Sequence, residues 1–199
     1  MNHLNGNILA AVDVETTGVI FGYNEIIQIA IVPLDFDLKP DDSKPVFYLP
    51  GMAPAYPERQ TKQAKMKHHL DAKKLAEEGI PQDRAAALLD EWFVRLNLPI
   101  HRRIIPLAHN WAFERGHLTH WLGIEQFDDI FYIHPRDTMT FASSINDAAA
   151  WAGHQKVFNT LSLTAMCKNL GIPLENAHNA LADCIATAAL YRELLSMFS

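Results

Sequence analysis

Two acids stand two positions apart in AAVDVETTGV, residues 10–19: Asp13 and Glu15. The surrounding run NILAAVDVE, residues 7–15, reads as a strand, and side chains on a strand alternate faces. Asp13 and Glu15 therefore share one face, and Val12 and Val14 share the other. Like charges on a covered face repel each other and lose hydration. Either the pair lies on a solvent-facing edge, or something offsets its charge. A divalent cation is the strongest candidate, because Mg²⁺ and Mn²⁺ prefer oxygen ligands and carboxylates supply both oxygen and charge.

Further candidates are scattered along the chain. Asp183 interrupts the otherwise apolar turn ALADCIATAAL, where an acid is seldom buried without a partner. His178, five positions earlier, would sit roughly 140° away on a helix. It is therefore expected just before that helix, with Asn176 or Asn179 as the cap. Glu114 falls in the first turn of another helix, where a negative charge by itself stabilises the dipole by roughly 0.3–1 kcal/mol. His109, His117 and His120 do not have the spacing of a zinc-binding helix. No Gly-rich phosphate loop or G-x-S-x-G elbow occurs.

The elements that must bring these residues together are legible in outline. Residues 7–15, 25–36 and KPVFYLP at 44–50 read as three strands joined by short connections, an antiparallel meander. A helical stretch is expected over about 58–78, and another over DRAAALLDEWFVRL. RIIPLAH reads as a fourth strand, followed by the helix WAFERGHLTHWL, with DIFYI as a fifth strand. Helices follow at about 138–152, 161–170 and 178–197, the last with Leu181, Ile185, Ala188 and Leu195 on its apolar stripe. This order predicts an α/β or α+β mixed sheet, with chemistry gathered at the carboxyl ends of neighbouring strands.

At 199 residues the chain is expected to form a single domain over 1–199. With 49% hydrophobic residues and only two cysteines, Cys167 and Cys184, neither disorder nor a disulfide framework is indicated. No run approaches the roughly 18 residues of a membrane span, no signal-peptide layout opens the chain, and a reducing cytoplasm is the expected setting. A net charge of −6 argues against bulk electrostatic coating of nucleic acid. Six of the seventeen Lys and Arg nevertheless fall between residues 59 and 74, which is either a solvated helix face or a positive flank beside an acidic centre.

Taken in order, DVETTG, HNWAFE and HNALAD resemble the three motifs of the DEDDh 3′–5′ exonucleases, the DnaQ-like enzymes. Members include proofreading subunits of bacterial replicative polymerases, RNase T and oligoribonuclease. The resemblance covers nearly the whole chain: RDTMTFA is similar to the segment before the family's C-terminal region, and residues 158–194 to that region almost throughout. It implies an RNase H-like fold, a mixed five-stranded sheet (three antiparallel strands, then two parallel) flanked by helices. It places the ligands of two divalent ions, Mg²⁺ or Mn²⁺, on Asp13, Glu15 and Asp183, and the general base on His178. Asn179 stands where the sister subgroup has Tyr, which indicates the histidine class. One position departs: the middle motif normally ends in Phe-Asp, and here it is Phe113-Glu114. Asp128 and Asp129 lie too far along to replace it, so Glu114 is taken as the fourth acid.

The resemblance further puts Thr16, Thr17 and Gly18 near a terminal nucleotide, and Asn110 is a candidate for positioning substrate or backbone in the site. Gly18 would let a sugar or base approach closely, or serve a plain turn. Phe21, Trp111 and Phe113 are aromatic surfaces on which a base could stack or which could belong to the core. The expected activity is 3′–5′ hydrolysis of nucleic acid, single-stranded DNA favoured and RNA the alternative. A catalytically impaired nucleic-acid- or polymerase-binding module is the third reading. With sixteen residues after Asp183, a free-standing or surface-docked enzyme is expected rather than a tail-tethered subunit. A polymerase partner and a homodimer both stay open.

Overall fold

The computed structural model describes residues 4–198. Its main sheet contains β1 (Ile8–Thr16), β2 (Ile26–Pro33), β3 (Phe47–Leu49), β6 (Ile104–Ala108) and β7 (Arg136–Asp137), in the order β3-β2-β1-β6-β7. β1–β2 and β2–β3 pair antiparallel, whereas β6 joins β1 and β7 joins β6 in parallel. Two short strands, β4 (Met52–Ala53) and β5 (Ile80–Pro81), pair separately. The expected mixed five-stranded α/β sheet is the observed one.

Both faces of the sheet are covered, which explains why β2 is buried along its whole length instead of alternating. On one face lie α3 (Gln82–Arg95), α4 (Trp111–Leu122) and α5 (Ile124–Ile130), which contribute Leu89, Trp92, Leu118 and Phe127 to a core with Val12, Val14 and Ile29. The other face is covered by α8 (Ala180–Ser196). Its sheet-facing residues Ala180, Cys184 and Ala188 are small, so the helix approaches until the Cys184 Sγ lies 3.4 Å from the Ala30 carbonyl oxygen. The expected apolar stripe of α8 is thereby corrected: Ile185 and Leu195 are 46% and 41% exposed. Leu190 and Leu194 instead pack with α6 (Thr138–Trp151) and α7 (Leu163–Asn169) in a third cluster.

Two other elements differ from expectation. The stretch 58–78 is not one helix. After a 3₁₀ turn at Pro57–Arg59 come α1 (Lys62–His68) and α2 (Ala72–Glu78). Thr61 caps α1, His69 ends it in the left-handed region at φ 59°, and the Asp71 carboxylate caps α2. Two cap residues ten apart outweigh the continuous helical composition. DIFYI is not the fifth strand either. Phe127, Ile130 and Phe131 recur at helical spacing and pack on or beside Trp111, so the segment through Ile130 is α5, and only Phe131 bridges to Ile104. The fifth strand is the two-residue β7. Among the described residues no helix is long and apolar enough to cross a membrane.

Candidate functional site

The carboxyl ends of the three parallel strands converge on one open cavity of about 450 Å³. β1 contributes Asp13 and Glu15, which continue the Leu9–Ala11 row on the face covered by α8. From the first turn of α8, Asp183 meets them, itself only 6% exposed. His178 reaches the cavity because helix formation is delayed. Asn179 caps α8 by accepting from the Ala182 N–H, and His178 takes a positive φ of 67° just before it. The His178 N–H then donates to Asp183 Oδ2 at 3.1 Å. One ligand atom each from Glu15, His178 and Asp183 lies within 4.8 Å of the others. Asp13 and Glu114 line the same cavity but stand outside this group of three.

Glu114 enters from α4. It lies one turn from both Trp111 and Leu118 on the helix's buried face and is 3% exposed. Its Oε2 and the Oδ1 of Asp183 are buried with no hydrogen-bond partner among the described residues. Such groups are costly unless something offsets them. The electrostatics agree. Burial, reinforced by Glu114, Glu15 and Asp183, holds Asp13 well above the ordinary carboxylate range. Glu15 is pushed up to about 7 by burial and then by Asp183, against the opposing charge of Lys67. Burial lifts Asp183 to about 6, opposed by the His178 N–H and Lys67. Glu114 is raised by burial, then by Asp137 and Glu15, and is lowered only by its own backbone N–H. This donor set is nearly all oxygen and undercompensated, and it suits a hard divalent cation.

The residues after Glu15 have separate duties. A register shift between Glu15 and Thr16 ends the regular pairing with β2. Thr16 and Gly18 line the cavity, and the Thr16 hydroxyl donates to the Gly18 carbonyl at 2.6 Å. Thr17 does not line it: fully buried, its Oγ1 accepts from the Glu25 N–H and the Asn24 amide. At Gly18 the requirement for glycine comes from inside the protein, since a Cβ would lie 2.6 Å from the Asn24 Oδ1. Asn110, in the left-handed region at φ 84°, lines the cavity where β6 passes into α4. Trp111, left open between stacking surface and core, is 6% exposed and its ring packs on Phe127 and Phe131, which favours the core. Phe113 lines the cavity, whereas Phe21 lies edge-on to His117 and 51% exposed.

Several supporting residues carried little sequence signal. Asp137, at the end of β7, accepts the Trp111 N–H with one carboxylate oxygen and caps α6 through the Thr140 N–H with the other. It thereby ties α4, and with it Glu114, to the sheet. His109 contacts the Thr138 hydroxyl and the Leu161 carbonyl, both at 2.8 Å, which makes it a structural tie and not a metal ligand. Asn24 bonds the Ile20 N–H, the Thr17 hydroxyl and the Arg59 carbonyl, fixing the loop after β1. The similarity of RDTMTFA to a family segment was the one hint of Asp137. Nothing local marked Asn24.

A five-stranded sheet of this order, with acids and a histidine gathered at the ends of its parallel strands, defines an RNase H-like fold. Residues 10–191 match the model of the exonuclease family that includes RNase T. The chain belongs to this exonuclease family, within the DEDD superfamily of DnaQ-like proteins. Among solved structures it resembles an exonuclease I from Methylocaldum szegediense (TM-score 0.71, 21% identity, 96% of this chain and 40% of that one). It also resembles E. coli exonuclease I in complex with a dT13 oligonucleotide (0.66, 18%, 96% and 42%). A third is the 3′-exonuclease in a structure of 3′-end-specific recognition of a histone mRNA stem-loop (0.67, 12%, 96% and 64%). The chain thus spans between two-fifths and just under two-thirds of these proteins' lengths. No curated protein sequence matches it significantly.

Proposed function

We propose that the chain hydrolyses phosphodiester bonds from the 3′ end of nucleic acid, single-stranded DNA in preference, and releases nucleoside 5′-monophosphates. The observation that carries this reading is the cluster of Glu15, His178 and Asp183 within 4.8 Å, together with buried, unpartnered oxygens on Glu114 and Asp183. Asp13, Glu15, Asp183 and Glu114 would hold two Mg²⁺ or Mn²⁺ ions. When bound, such a pair activates water and neutralises the leaving 3′ oxygen.

The chain's own residues do the rest. His178 has its pKa lowered by burial, then by Lys67 and His69. It is therefore neutral near pH 7 and free to take the proton of the attacking water as general base. The Asp183 carboxylate, anchored by the His178 N–H, fixes the distance between base and acids. Thr16, Gly18 and Asn110 line the place for a terminal nucleotide, and Phe113 offers the apolar wall. Glu114 reaches one methylene further than the family's Asp from a helix fixed by Asp137, and on this reading it keeps the site active.

The likeness to a 3′-exonuclease engaged in histone mRNA recognition supports a second reading, an exoribonuclease or oligoribonuclease. Discrimination there rests on contacts to the 2′-hydroxyl. The test is a cleavage ladder from 5′-labelled single- and double-stranded DNA and RNA, in Mg²⁺, in Mn²⁺ and in EDTA. A ladder shortening from the 3′ end, abolished by EDTA and by Asp13→Ala, is expected. Undiminished cleavage in EDTA would overturn the mechanism, and a ladder from RNA alone would favour the second reading.

A further inference from the structure

Helix α1 lies across one side of the cavity and is fastened to the strand that carries two of the acids. At its start, the Thr61 N–H donates to the Thr17 carbonyl at 2.8 Å. At its end, the His68 Nε2 lies 3.1 Å from the Thr16 carbonyl, while the Leu70 N–H donates to His68 Nδ1 at 3.0 Å. With Nδ1 accepting, the proton sits on Nε2 and is donated to Thr16. Both ends of α1 are thus fixed to consecutive residues just beyond Glu15. Lys67, the neighbour of His68, is thereby held on the cavity wall.

The other cations of this basic run are directed elsewhere. Arg59 stacks its guanidinium over Tyr56 at 3.6 Å and Tyr23 at 4.6 Å. Lys65 pairs with Asp71, and Lys74 with Glu78. Neither Lys62 nor Lys73 lines the cavity. Lys67 does, and among the described residues it is in no ion pair. Its charge is felt by Glu15, Asp183 and His178.

Resting on the reading above, we propose that Lys67 binds the phosphate group of the substrate at the mouth of the cavity. Four carboxylates balanced by two divalent cations leave a phosphodiester's own negative charge uncompensated, and Lys67 supplies the missing positive charge. A lysine suits this role, being a compact charge on a flexible stem that can follow a phosphate as the strand advances. It acts on the backbone and not on the bases, so its contribution is independent of sequence.

Lys67 is solvent-exposed, so Lys67→Gln leaves the fold intact. Cleavage of a single-stranded oligonucleotide is followed at several salt concentrations. Its binding in Ca²⁺ is followed in parallel by fluorescence anisotropy. K67Q is expected to raise KM and Kd about fivefold, with the smaller effect on kcat. It should also flatten the dependence of log binding on log salt by about 0.7, the share of one phosphate on a single strand. K67R should recover most of the loss.

If Lys67 served only to offset the acids, its removal would lower the metal concentration needed for activity and leave KM, Kd and the salt slope unchanged. That result overturns the proposal while leaving the nuclease reading standing. A wild-type chain that binds the oligonucleotide without cutting it, and binds less well as K67Q, supports the Lys67 contact and removes the hydrolytic reading. A wild-type chain that does not bind removes both.

Discussion

Glu15→Gln tests whether the acids are held together at the expense of stability. Burial and Asp183 raise the Glu15 carboxyl from 4.5 to about 7. Between those values the folded chain keeps a proton that the unfolded chain has lost, so this group's contribution to stability falls as pH rises. From the two pKa values, the cost of folding around Glu15 is about 1 kcal/mol at pH 5 and about 3 kcal/mol at pH 8. Replacing the carboxylate by an amide of the same shape removes that cost. In EDTA, E15Q should therefore be more stable than wild type by about 3 kcal/mol at pH 8, a gain of about 6–12 °C in Tm for a chain of this size. The advantage should shrink to about 1 kcal/mol at pH 5. With saturating Mg²⁺ the order should reverse, because a ligand that binds only the folded state stabilises the chain retaining the better site. Urea unfolding at pH 5, 6, 7 and 8, with and without metal, measures all of this. A difference between E15Q and wild type that does not vary with pH in EDTA, or an E15Q chain less stable at pH 8, would refute the reasoning.

Two more outcomes are expected. Glu114→Asp withdraws a carboxylate by about 1.5 Å on a helix that Asp137 prevents from following, so kcat should fall by up to about 10²-fold in single-turnover assays. A wild type inert in both Mg²⁺ and Mn²⁺ but active as E114D would instead mark the natural chain as an impaired binding module. Trp111→Ala should cost about 3–5 kcal/mol in urea unfolding, as for other buried aromatics, whereas W111F should bind oligonucleotide with unchanged Kd, since the indole is core and not a stacking surface.

The order of elements was readable along the chain because it depends on local patterning. Alternation through β1, the apolar run of β6, and the helical spacing around Trp92 each reflect a choice made within a few residues. Three ordered motifs pointed to the exonuclease family for the same reason, since each is a short stretch whose chemistry constrains its own spacing. Where local signals competed, reading failed. The caps Thr61 and Asp71 divided an apparently continuous helix, and the aromatics near 127–131 favoured packing on Trp111 over a fifth strand.

Asp13 and Glu15 declared by themselves that they share one face of a strand, because the period of a strand is fixed by backbone geometry. The sequence likewise determined that His178 could not share a helical face with Asp183. Only tertiary structure decided which face of α8 meets the sheet, that Trp111 is buried, that Gly18 makes room for Asn24, and that α1 is fastened at both ends beside Glu15. These outcomes depend on atoms brought together from distant parts of the chain, and close packing between such segments leaves no periodic trace in either one.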